Sequence, residues 1–175
     1  MFSLSYTPAY DPYHTAFRIL VLLTSADGQT LTYKGARAAD FFLCFPWALD
    51  RVRAPTNVEG FRRDRNGIVR NNPKSTYDHF PNARTVFERM EMIQATAVSA
   101  LAGSKMIDPD VLKVGKLALL QNAVPDKLQS SVYEFREKKS DLVNFLAISF
   151  PKIDDLGKDG IFARSGLGEF SYDVV

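Results

Sequence analysis

A helix without a polar side constrains this chain more than any other feature. Asp11 supplies an N-cap, and Pro12 suits the first helical position, where a missing amide proton costs nothing. Phe17, Leu20, Val21 and Thr24 then share one helical face, while Ile19, Leu22 and Leu23 occupy the other. Such a helix is enclosed on several sides or lends one side to a partner. Asp27-Gly28 ends it with a turn. Gln29 to Thr32 reads as a short strand. A second helix from about Thr32 carries Ala36, Ala39, Phe42, Leu43 and Phe45, and Pro46 kinks or stops it. Helix, tight connection, helix is the opening of a helix-turn-helix or winged-helix unit.

Beyond Arg53 the pattern changes. Residues 54–81 hold Pro55, Pro73, Pro81, Gly60 and Gly67 with several asparagines and no period, so they read as a long loop, with Asn66-Gly67 as a hairpin turn. A helix then runs from about Asn82 to Ala102 on Val86, Met90, Ile93, Ala97 and Leu101, with Gly103 as a left-handed cap. Met106-Ile107 reads as a short strand, and Asp108-Pro109 repeats the cap logic of Asp11-Pro12. Lys116 to Gln121 fits a continued helix and a strand equally well. Pro125 starts another helix on Leu128, Val132 and Phe135. Ser140-Asp141 caps one more, carrying Leu142, Phe145, Leu146 and Ser149, which Pro151 ends. Gly160 to Val175 alternates weakly and reads as a β-hairpin with its turn at Ser165 to Gly168. The fold class expected is mainly α with small β-hairpins, winged-helix-like. Its parts are an N-terminal arm and helix-turn-helix-like unit (1–53), a basic loop (54–81) and a helical region with a C-terminal hairpin (82–175), all in one domain.

The 175 residues suffice for a core without staples, and 46% hydrophobic with 24% charged residues is ordinary for a globular protein. A net charge of +2 gives no global pull towards nucleic acid. The single cysteine, Cys44, excludes an internal disulfide and fits a reducing compartment. No signal peptide is visible, and the apolar run Phe41 to Leu49 is too short to span a bilayer, so a cytoplasmic protein without membrane contact is expected.

The inventory for catalysis is thin. Asp11 and His14 share a first helical turn, where capping explains both. His79 lies in the cluster Tyr77-Asp78-His79-Phe80. Neither histidine has neighbours at metal-ligand spacing. Cys44 sits in a Phe-rich helix, where burial raises a thiol pKa and disfavours a nucleophile. Around Gly115-Lys116, Asp110 stands where a P-loop needs glycine. No enzyme activity, metal or cofactor is therefore expected.

Charge concentrates in one place. Arg51, Arg53, Arg62, Arg63, Arg65, Arg70 and Lys74 outnumber Glu59 and Asp64, with Phe61 and asparagines between them. This pattern suits phosphate contacts, or an acidic protein surface; charge sign alone leaves both open. Apolar excess concentrates in another. Ile19, Leu22 and Leu23 on the second face of the first helix, with Phe41, Phe45 and Trp47, exceed what one helical face buries and read as a partner interface.

The segments SYTPAYDPYHTAFRILVLL, AADFFLCFPWALDRVR and DGIFARSGLGEFSYD resemble the small middle components of bacterial ABC three-component systems, a type of subunit found in the Lamassu anti-phage defence complex. The matching positions are Asp11, Pro12, Tyr13, Arg18, Asp40, Phe45, Pro46, Arg164, Gly166 and Leu167. The resemblance implies a non-catalytic adapter with a mostly helical, winged-helix-like fold. Its implied partners are an SMC-like ATPase subunit and an effector nuclease subunit, with double-stranded DNA as a further contact of the complex. The rival expectation is a stand-alone winged-helix DNA-binding regulator, whose basic residues belong on a recognition helix. The second helix offers only Lys34 and Arg37.

Overall fold

The computed structural model describes residues 8–76 and 80–168. The protein is mainly helical, with one small antiparallel sheet of two strands. At its centre runs α1, Pro12–Ser25, capped as its sequence dictates: the Asp11 carboxylate accepts the His14 amide at 2.9 Å. Ile19, Leu20, Val21, Leu22 and Leu23 are all buried. A helix that is apolar all round needs walls all round, and α1 has them. It packs on α2 (Tyr33–Cys44), α4 (Ala83–Gly103), α6 (Asp126–Lys138) and the later turn Phe145–Ser149.

Those walls correct one expectation. Ile19, Leu22 and Leu23 face the chain's own core, and so does Phe41 on α2. The later helices carry enough apolar area to cover the second face of α1. On α4, Val86, Phe87, Met90, Ala97, Val98 and Leu101 are buried, and Phe145, Leu146 and Ala147 are buried in succession. That run of three follows α7 (Ser140–Asn144) and is wound as a π-turn, which leads into a 3-10 turn at Phe150–Lys152 that contains Pro151. Gln94, not the half-buried Ile93, completes the inward stripe of α4. Gly103 is the last residue of α4 rather than a left-handed cap; Lys105 takes the positive φ, at 57°.

The sheet is built from distant segments. β1 (Leu31–Thr32) pairs antiparallel with β2 (Lys116–Leu117), setting Leu31 opposite Leu117 and Thr32 opposite Lys116. The strand expected at Met106-Ile107 is a single bridge from Ile107 to Leu119. Between them lies α5, Pro109–Lys113, whose cap Asp108 accepts the Asp110 amide at 2.9 Å.

Two expected β features are helical instead. The loop 54–81 contains α3, Phe61–Asn71, and Gly67 lies inside it rather than at a hairpin turn. Phe61 and Ile68, seven residues apart, are the buried side of α3, and the Phe61 ring meets Phe145 at 4.8 Å. The expected C-terminal wing is α8, Ile161–Ser165, closed by Gly166 at φ 70°. Its start is set by a tight loop: a Cβ on Gly160 would lie 2.3 Å from the Leu156 carbonyl oxygen. That approach brings the Ile161 amide to the Asp154 carbonyl at 2.7 Å and Ile161 into the core. No winged-helix arrangement forms among the described residues. The rest of the expected hairpin, 169–175, lies outside them, as do Tyr77, Asp78 and His79 and most of the N-terminal arm, of which Pro8–Tyr10 is a 3-10 turn.

Candidate functional site

The basic residues sort into distinct roles once α3 is in place. Arg62, Asn66 and Arg70 are four residues apart, and Arg63 lies beside them, so at 3.6 residues per turn they span an arc of about 100°. All four are exposed, opposite the face buried by Phe61 and Ile68. Arg62 and Arg70 carry no ion pair among the described residues, and Arg63 has a solvated one with Asp64 at 2.9 Å, of the kind worth little. Arg51 is exposed at the end of the 3-10 turn Pro46–Arg51, which packs on α3.

The other cations are committed to the fold. Arg65 donates through Nη1 to the Val52 carbonyl and through Nη2 to Asn66 Oδ1 at 2.7 Å. Arg53 donates through Nη2 to the Ala163 carbonyl at 3.3 Å, and its amide bonds to the Arg164 carbonyl at 3.0 Å. Arg164 returns the contact through Nη1 to the Arg53 carbonyl at 3.4 Å. Lys74 lies over aromatic rings, 5.0 Å from the centroid of Trp47 and 5.7 Å from that of Phe80. Spacing in the sequence cannot separate these roles, because they depend on which carbonyls the fold brings near.

Of the residues expected at a partner interface, Phe45 and Trp47 reach the surface. Both are half-buried around Phe80, whose ring centroid is 5.0 Å from Phe45 and 4.5 Å from Trp47. Tyr13, in the first turn of α1, is 86% exposed and joins them as a large surface aromatic.

Of the buried polar residues, Thr15, Arg18, Asp40 and Gln94 form a structural knot. Arg18 donates through Nε to Asp40 Oδ1 at 2.6 Å, and its Nη1 reaches the Pro8 carbonyl at 3.0 Å. Gln94 Nε2 donates to Asp40 Oδ2 at 2.9 Å and to the Arg37 carbonyl at 3.0 Å, while Arg37 Nε donates back to Gln94 Oε1 at 2.8 Å. Burial works to lower the Arg18 pKa, but the surrounding groups, the Asp40 carboxylate first among them, together outweigh it, and the guanidinium is held above its usual value. Every partner is satisfied, and α1, α2 and α4 are joined at one point.

The residues weighed for chemistry stay apart. His14 Nδ1 is 3.2 Å from Asp11, whose carboxyl is held below its usual range chiefly by the His14 amide. Burial pushes the Cys44 thiol far up, away from thiolate at neutral pH. Among the described residues no three His, Cys, Asp or Glu side chains are grouped to hold a metal ion, and no helix is long and apolar enough to cross a membrane.

A family model described as ABC-three component (ABC-3C) system Middle Component 5 matches residues 4–173. No curated protein and no solved structure matches the chain.

Proposed function

We propose, for a chain that belongs to the Middle Component 5 family of ABC three-component systems, the role of a non-catalytic adapter between the other components of its system. The match across residues 4–173 carries this reading. The finer assignment is a cytoplasmic, Lamassu-type complex in bacterial anti-phage defence. There the chain links an SMC-like ATPase to an effector nuclease, and the arginines of α3 touch DNA phosphates. The face of α3 supports the DNA contact: Arg62 and Arg70, unpaired among the described residues, and Arg63, whose pair with Asp64 is solvated, suit sequence-independent, salt-sensitive binding.

The rival reading, a stand-alone winged-helix regulator, needs free basic residues on α2. There Arg37 is bound to Gln94 and stacked over Phe87 at 4.7 Å.

The test is reconstitution from the genes that flank this one. Co-expressed ATPase and effector should co-purify in one complex only when this chain is present, and the chain alone should hydrolyse neither ATP nor DNA. A complex that forms without it, or turnover by the chain alone, ends the adapter reading.

A further inference from the structure

Against the N-terminal half of α2 the described residues leave the core unfilled. Gly35, Ala36 and Ala39 are too small to reach the chain opposite, where Phe150, Ile153 and Ile161 form the far wall. A pocket of about 370 Å³ remains between them, open to solvent. Its lining is mostly apolar, so water in it makes few hydrogen bonds, and an apolar side chain entering it releases that water at a gain.

The mouth has a sign. Asp154 and Asp155 are the charged residues that line this pocket, and neither is ion-paired among the described residues. Lys152 and Lys158 line the adjoining hollow beside Arg164, which shares Asp154 and Leu156 with this pocket, so Asp155 is the acid that belongs to this mouth alone. Gly35 leaves room for the Asp155 carboxylate: a Cβ there would lie 2.9 Å from its Oδ1. The carboxylate therefore sits on the first turn of α2, where the helix dipole favours negative charge. Leu156 stands at the rim, 63% exposed.

We infer that this pocket docks a basic, apolar-anchored peptide segment of a protein partner. A large aliphatic or aromatic side chain fills the cavity, and a lysine or arginine next to it pairs with Asp154 and Asp155. An acidic segment meets repulsion at the mouth, and a polar one leaves the apolar walls wet. The surface is separate from the arginines of α3, none of which lines it. The inference rests on the adapter reading only for the source of the segment, another subunit of the system.

The chain alone can be tested with a short fluorescein-labelled peptide in which two lysines flank a Leu-Phe pair. Anisotropy should show it binding about tenfold more tightly than a peptide with glutamates for lysines, and than one with serines for the apolar pair. The Asp154→Lys, Asp155→Lys double variant should lose about tenfold in affinity for the first peptide while its circular dichroism is unchanged. Equal binding of the three peptides, no binding, or indifference to the charge reversal overturns the inference. In the reconstituted complex, a photo-crosslinking residue at position 156 should capture a lysine- or arginine-flanked apolar segment of a partner subunit. Capture of a second copy of this chain overturns the inference. A chain that assembles but binds no peptide loses this pocket and keeps the adapter reading. One that binds the peptide but never assembles does the reverse.

Discussion

Arg18 and Asp40 meet at 2.6 Å in the interior, 22 residues apart in sequence, and the contact fixes α1 against α2. A charge on an otherwise apolar helix is tolerable only because this carboxylate is waiting for it. Removing one partner strands the other in a dry site. Asp40→Ala or Arg18→Ala should each cost about 3–5 kcal/mol in urea unfolding. The double variant Arg18→Met, Asp40→Leu should recover much of that loss, since Gln94 keeps the Arg37 carbonyl and no charge is left unpaired.

The two kinds of arginine on α3 should separate by assay. Arg65→Ala should destabilise the fold by about 1 kcal/mol through its lost bond to the Val52 carbonyl. Arg62→Ala and Arg70→Ala should stay within about 0.5 kcal/mol. The triple variant Arg62→Glu, Arg63→Glu, Arg70→Glu should leave assembly intact and weaken retention of duplex DNA by the complex. Its log–log salt slope should flatten by about three, one unit for each lost phosphate contact. An unchanged slope would assign this face to a protein surface.

Two glycines near the C-terminal end should respond unequally. Gly166→Ala forces a side chain into the left-handed region and should cost about 1 kcal/mol in thermal unfolding. Gly160→Ala adds a collision with the Leu156 carbonyl oxygen and should cost more. Its α8 should also be the first to yield to limited proteolysis.

Cys44 should react slowly with thiol reagents at pH 8, because burial raises its pKa and leaves little thiolate. Labelling should accelerate through the urea transition. Fast labelling of the folded chain would show that the sulfur is open to solvent.

Local signals carried the sequence reading far. The Asp-Pro caps before α1 and α5 and the inward stripe of α4 depend on residues a few positions apart, and they stand where the pattern puts them except that Gln94 replaces Ile93 in the stripe. The α3 helix escaped because its buried side consists of Phe61 and Ile68 amid arginines and asparagines, too few apolar residues to show a period. The β1–β2 pairing escaped because its strands are two residues long and distant in the chain, and α8 because its first residue is fixed by the loop folded against Gly160. At the candidate site the basic cluster was visible. Its division into outward arginines and fold-bound ones was not, since Val52 and Ala163 become acceptors only in the folded chain. The all-round apolar character of α1 announced enclosure but could not say by what.

That enclosure also sets an order of events during synthesis. The α1 helix is translated before α4, α6 and Phe145–Ser149, which cover it. Until those segments emerge, the nascent chain displays its most apolar helix covered by α2 alone. Ribosome-bound chaperones should therefore hold this polypeptide until α6 and Phe145–Ser149 emerge, and cells depleted of them should accumulate it as aggregate rather than as a folded subunit.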